Sequence, residues 1–144
     1  SRGVRFRRAF ATAPITLPSH ASLLTGLYPP GHGARHNGMR MSGRPATLAA
    51  VLRDAGWATG AFVGAFPLDR RFGLDRGFDR YGDRMPRSLD GRLLNERPGR
   101  QVVDEALAWI GHALRQGLRE LACDLHDLLR GMDGLDQHDK LVAT

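Results

Sequence analysis

One cysteine, Cys123, stands alone in 144 residues, so no internal disulfide can form and thiol usage leaves the redox compartment open. Lysine is almost missing: 20 of the 21 basic residues are arginine, a coding bias that runs through the whole chain. No stretch of about 18 apolar residues occurs, so no helical membrane span is expected. Aromatics make up 7% of the chain and form no stacking pattern with the arginines. There is no internal repeat and no low-complexity tract. Ser1 is not an initiator methionine, and no charged-then-apolar signal segment follows it, so a processed or partial chain is expected.

What is present suits a folded domain. Apolar residues reach 42%, enough for a core and too many for a disordered composition. The length corresponds to one domain or a piece of a larger one. Charge is divided unevenly. Residues 1–100 carry 17 Arg against 7 acids, whereas residues 101–144 carry 4 bases against 8 acids. A basic body can meet nucleic acid, an anionic membrane or a small anion. Here the arginines are scattered rather than clustered, which argues against nucleic acid as a partner.

Along the chain, residues 5–10 (RFRRAF) predict a short strand with Phe6 and Phe10 on one face. Pro18 suits the first turn of a helix, which Ala21 to Thr25 continue and Gly26 closes. Residues 28–38 read as loop. A second helix is signalled by Thr47 as N-cap, LAAVLRDA as body and Gly56 as terminator. WATGAFVGAF, 57–66, has the character of a buried strand. Residues 67–86 read as irregular, with Phe72, Leu74, Phe78 and Tyr81 anchoring them. Beyond Arg100 an apolar stripe runs through Val103, Leu107, Ile110, Leu114, Leu118, Leu121, Leu125 and Leu128 at helical spacing.

The chemistry-bearing stretch is APITLPSHASLLTGLYPPGHG, 13–33. A hydroxyl at the start of a helix meets free backbone N–H groups and the positive end of the helix dipole, where an anion is attracted. Taken alone, Thr16 reads as a turn residue between Pro14 and Pro18 and His20 as a polar helix-start residue. With the resemblance given next, Thr16 becomes the candidate nucleophile, Ser19 a candidate substrate-binding neighbour and His20 a candidate donor to an oxyanion or leaving group.

This stretch resembles the nucleophile signature of the sulfatases, in the alkaline phosphatase superfamily. The signature runs small-or-Pro, aliphatic, Cys or Ser, small, Pro, Ser, Arg, two open positions, two aliphatics, Thr and Gly. Pro14 through Gly26 follows it in order. LYPPGHGARHNG then resembles the family's YP-x-x-HG-x-x-x-N, and weaker likeness continues to about Ile110. The implied fold is α/β: a partial alkaline-phosphatase-like (sulfatase-like) doubly wound domain over 1–112, with 113–144 a divergent helical extension. The implied activity is hydrolysis of an anionic sulfate or phosphate ester. The implied cofactor is a divalent metal (Ca, Mg, Mn or Zn) in the full-length domain, with Thr16 its one contact in this chain. The other ligands, a leading Asp segment and an Asp–His pair further on, have no counterpart here. The expectation is that this chain binds no metal and is inactive alone. Full-length relatives are often extracytoplasmic, which leaves this chain's location open.

Several positions depart from the pattern. Threonine cannot follow the family's conversion of Cys or Ser to formylglycine, and His20 stands where the family carries Arg. Gly56-Trp57-Ala58-Thr59 resembles the opening of a second signature, GY-x-T, but Ala65 and Phe66 follow Gly64 where that signature carries Lys and a nearby His. The pattern is closer to superfamily members with an unmodified Thr nucleophile. Simpler roles are weighed beside these. His32 and His36 read as structural or solvated rather than a metal pair. Asp69, Asp75 and Asp79 read as partners of neighbouring arginines, and Cys123 as a buried small hydrophobe. The ligand-type residues of 124–127 and 136–139 lie on a helix and a tail. The rival account is a truncated, non-catalytic remnant that acts through partner binding or self-association.

Overall fold

The structure, a computed structural model, describes residues 3–117. The chain divides into two units, Ser1–Ala106 and Leu107–Thr144. Of the second, residues 107–117 are described, and they are helical. Cys123, the stretches 124–127 and 136–139, and the apolar stripe from Leu118 onward lie outside the described residues.

In the first unit the order is α1 (Thr16–Thr25), α2 (Pro29–His32), α3 (Leu48–Asp54), β1 (Gly60–Phe62) and β2 (Arg80–Gly82). Residues 99–106 are helical again. Two 3-10 turns, Phe66–Leu68 and Arg70–Phe72, lie between the strands. β1 and β2 pair in parallel, Gly60 opposite Arg80 and Phe62 opposite Gly82. Parallel pairing with helices around it is the α/β arrangement expected from the sequence.

α1 starts earlier than the sequence suggested, at Thr16, and Gly26 closes it in the left-handed region at φ 68°, its N–H reaching Ser22 O at 2.8 Å. Its inward face is Leu17, Pro18, Ala21 and Ser22, all buried. Thr16, Ser19, His20 and Leu23 follow the i, i+3, i+4, i+7 rule and make the other face. Leu17 and Ala21 join Ala34, Met41, Leu68, Phe72, Leu74 and Tyr81 in the core. The Thr47 cap is borne out: its hydroxyl accepts the Ala50 N–H at 3.1 Å and donates to Arg76 O at 2.7 Å.

Several expectations are revised: residues 29–32, read as loop, form α2, and the buried strand expected over 57–66 narrows to the half-buried β1. Residues 5–10 form no strand: Phe6 and Phe10 are exposed, and no described segment pairs with them. A strand exists only when a neighbour completes its ladder, and alternation alone cannot supply one. The stretch 67–86 is more regular than turn-rich composition implied, since it holds both 3-10 turns and β2. Its anchors are as expected: Phe72, Leu74 and Tyr81 are buried, and Phe78 packs against the core. The Tyr81 hydroxyl donates to Leu68 O at 2.7 Å, and burial raises its pKa.

Arg97 does what a third strand would otherwise do at the ends of β1 and β2. Its guanidinium donates to Val63 O at 2.8 Å and Gly82 O at 2.9 Å, and pairs with Glu105 at 2.8 Å. Gly82 leaves room there for the Glu105 carboxylate and the Phe62 ring, each of which would lie 2.7 Å from an added Cβ. The Arg97 pairing and a second from Arg80 at 3.0 Å hold the Glu105 carboxyl below its ordinary pKa, against the opposing effect of burial.

Candidate functional site

The opening turn of α1 decides what its hydroxyls can do. Ile15, at the N-cap position, has no side-chain oxygen to offer the first turn. Pro18 has no N–H. The Ser19 N–H reaches Ile15 O at 3.2 Å. The Leu17 N–H is taken by Asn37 Oδ1 at 2.9 Å, from a residue 20 positions away. The Thr16 N–H is therefore the first-turn donor left open among the described residues. The several free donors expected from the sequence reduce to this one.

Thr16 is half-buried, and its hydroxyl has no hydrogen-bond partner among the described residues. The His20 ring lies one turn on, with Nδ1 2.8 Å from the Thr16 carbonyl oxygen. A carbonyl can only accept, so Nδ1 carries the proton and Nε2 remains the free ring nitrogen. His20 touches the backbone of Thr16 rather than its hydroxyl. Ser19 and His20 border an open cavity of about 440 Å³, with Phe10, Thr12, Leu23 and Tyr28 among its other walls. Thr16 is not among them. All three predicted residues thus share one helix face, while the cavity gathers only Ser19 and His20.

Beneath that face the YPPGHG segment acts as a support. His32 is completely buried, with Nε2 3.0 Å from Ser22 Oγ on α1 and Nδ1 accepting the Ala34 N–H at 3.2 Å. Nδ1 as acceptor places the proton on Nε2, which donates to Ser22. Burial lowers the His32 pKa, opposed by the backbone groups of His32 and Pro18. His36 is exposed. His32 thus serves as a buried support of α1, whereas His36 faces outward. More widely, the described residues assemble no group of three His, Cys, Asp or Glu side chains fit to hold a metal.

The carboxylates have other work. Asp69 pairs with Arg71 at 3.0 Å, as expected. Asp79 does not pair with arginine: its Oδ2 accepts the Thr59 N–H at 2.8 Å and the Thr59 hydroxyl at 3.0 Å. These bonds to Thr59 lower its pKa. Thr59 is buried and also donates to Gly77 O at 2.8 Å, so the GWAT segment ties β1 to the turn before β2. Asp83 was missed from the sequence. Burial alone would raise its pKa, but the Arg70 side chain and amide outweigh this and leave it lowered. Arg70 reaches it through Nη2 at 2.7 Å and through the backbone N–H at 2.9 Å. Only a motif pairing residues 13 apart could have shown this contact.

A family model described as Sulfatase matches residues 1–116. The chain belongs to the sulfatase family. Sulfatases act on sulfate esters and generally use a divalent metal. Over 69 residues the chain is 30% identical to the uncharacterized sulfatase YidJ of Escherichia coli K12, covering 48% of this chain and 14% of that protein. Over 72 residues it is 36% identical to an N-acetylgalactosamine-6-O-sulfatase of Bacteroides thetaiotaomicron, covering 46% of this chain and 14% of that protein. The matched region thus spans about one-seventh of the length of these sulfatases. No solved structure matches the chain. No helix among the described residues is long and apolar enough to cross a membrane.

Proposed function

We propose that α1 carries the nucleophile of a sulfatase-type domain that hydrolyses sulfate or phosphate esters, and that the nucleophile is Thr16. The observation that supports this is the first turn of α1. It offers a half-buried hydroxyl with no competing partner, an open backbone N–H on the same residue, and Ser19 and His20 on the same face. In the reaction Thr16 Oγ bonds to the sulfur or phosphorus and the bond to the ester's leaving oxygen breaks. The hydroxyl proton passes to a base, the leaving oxygen takes up a proton, and water later cleaves the Thr16 ester. His20 Nε2, when protonated, is the donor proposed for the leaving oxygen.

The same geometry argues that this chain turns over nothing alone. A threonine hydroxyl is a weak nucleophile without a base or metal beside it. His20 reaches the Thr16 backbone through Nδ1 rather than its hydroxyl, and four of the described carboxylates, Asp69, Asp79, Asp83 and Glu105, are engaged with Arg71, Thr59, Arg70 and Arg97. No metal step is derived from the residues present. Residues 113–144 are read as an extension of their own, close to where the family match stops. Assays of purified chain with an aryl sulfate and an aryl phosphodiester, with Ca, Mg, Mn or Zn, should show no turnover above that of Thr16→Ala. Metal-dependent turnover lost in Thr16→Ala would overturn the inactivity and support the nucleophile.

A second reading is a non-catalytic remnant that self-associates. It is favoured by Val103, Leu107, Ile110 and Leu114, which are exposed apolar residues on helical segments. A mass that rises with concentration in sedimentation would support it, and a constant monomer mass would dismiss it.

A further inference from the structure

We infer that Asn37 is a positioning residue for Thr16: it caps, from a distance, the helix on which that residue is the first. The inference rests on Thr16 being the reacting residue. A helix start is held by an oxygen from its N-cap side chain, and Ile15 has none. Asn37 Oδ1 supplies that oxygen to the Leu17 N–H at 2.9 Å. Only the oxygen end of an amide can accept from an N–H, so the orientation of the Asn37 side chain is fixed by the bond.

The approach of Asn37 is built rather than accidental. Residues His36–Met39 form a turn closed by the Met39 N–H to His36 O at 3.3 Å. Gly38 takes the left-handed position of that turn at φ 88°, which few side-chain-bearing residues adopt. Upstream, the same connection is fastened to the middle of α1 by His32 and Ser22 at 3.0 Å. One loop thus grips α1 twice, at Ser22 in the middle and at Leu17 beside Thr16. The bond to Leu17 has a second effect. It removes that N–H from competition, so an anion at this end meets the Thr16 N–H and hydroxyl together on one residue.

Amide hydrogen exchange followed by NMR on the labelled 144-residue chain tests this. In the unaltered chain, the Leu17 amide should be protected and the Thr16 amide should exchange freely. Asn37→Ala should speed Leu17 exchange roughly 5- to 30-fold, the factor that a lost helix cap of about 1–2 kcal/mol gives. It should also move the Thr16 backbone coupling constant away from its helical value. Asn37→Asp keeps an acceptor oxygen at the helix start and should restore both readings. Should Asn37→Ala fail to fold, the unaltered chain and Asn37→Asp still decide.

Leu17 exchanging as fast as Thr16 in the unaltered chain would overturn the inference. So would an Asn37→Ala chain with Leu17 unchanged, or an Asn37→Asp chain that is folded yet leaves Leu17 unprotected. These readings need no turnover. A Thr16 that never forms an ester would sink the proposed reaction and leave the cap standing, and loss of the cap would leave the nucleophile assignment standing.

Discussion

The position of Thr16, Ser19 and His20 around the start of α1 was legible in the sequence because helix punctuation is local. What the sequence could not show is which of their neighbours are already spent. Asn37 lies 20 residues from Leu17 and His32 lies 10 from Ser22, and no spacing rule pairs them. The same limit hid Arg70–Asp83 and put Asp79 with arginine instead of Thr59. His32 gives a prediction at this scale. Its folded pKa lies below the ordinary value of about 6.5, so the unfolded chain takes up the proton first as pH falls. The stability that His32 contributes is therefore full above about pH 6.5 and is lost as pH falls from there through the folded value. The loss can be no steeper than about 1.4 kcal/mol per pH unit. Thermal melts from pH 7.5 to 5 should show this fall in the unaltered chain and a shallower one in His32→Gln. Parallel curves would contradict it. His32→Ala should cost about 2–4 kcal/mol at neutral pH, from the cavity and the orphaned Ser22 hydroxyl.

At the scale of elements, helix punctuation read well and strands read poorly. Thr47 caps α3 and Gly26 closes α1 because caps are satisfied by backbone groups within a few residues. Residues 5–10 read as strand and are not, while 80–82 read as irregular and are β2, because a strand depends on a partner distant in sequence. α3 and the turn before β2 meet closely at Gly77. Gly77 has φ 89°, and a Cβ there would lie 2.1 Å from Ala50 N. Gly77→Ala should destabilise by roughly 2–5 kcal/mol, combining the left-handed backbone with a clash against rigid helix backbone. Urea unfolding measures this. A loss within about 0.5 kcal/mol, as for an open surface site, would show that α3 does not seat there.

For the whole molecule, the sulfatase family was legible from one ordered run of residues. Activity was not, because the matched region spans about one-seventh of the length of the sulfatases it resembles. The first unit holds the proposed nucleophile turn, braced from beneath by His32, and a short parallel pair closed off by Arg97. On the proposed reading, such a unit is the part of an ester-hydrolase domain that carries the attacking hydroxyl. The central claim is that Thr16 belongs to a metal-dependent hydrolase whose carboxylates lie elsewhere in the domain. The measurement that tests it most directly is sequencing of the source DNA across both ends of this reading frame. The account predicts an Asp-bearing strand segment upstream and, in whichever frame continues past residue 112, an Asp-x-x-His segment. Flanks that hold neither would contradict it and leave the self-associating remnant as the better description.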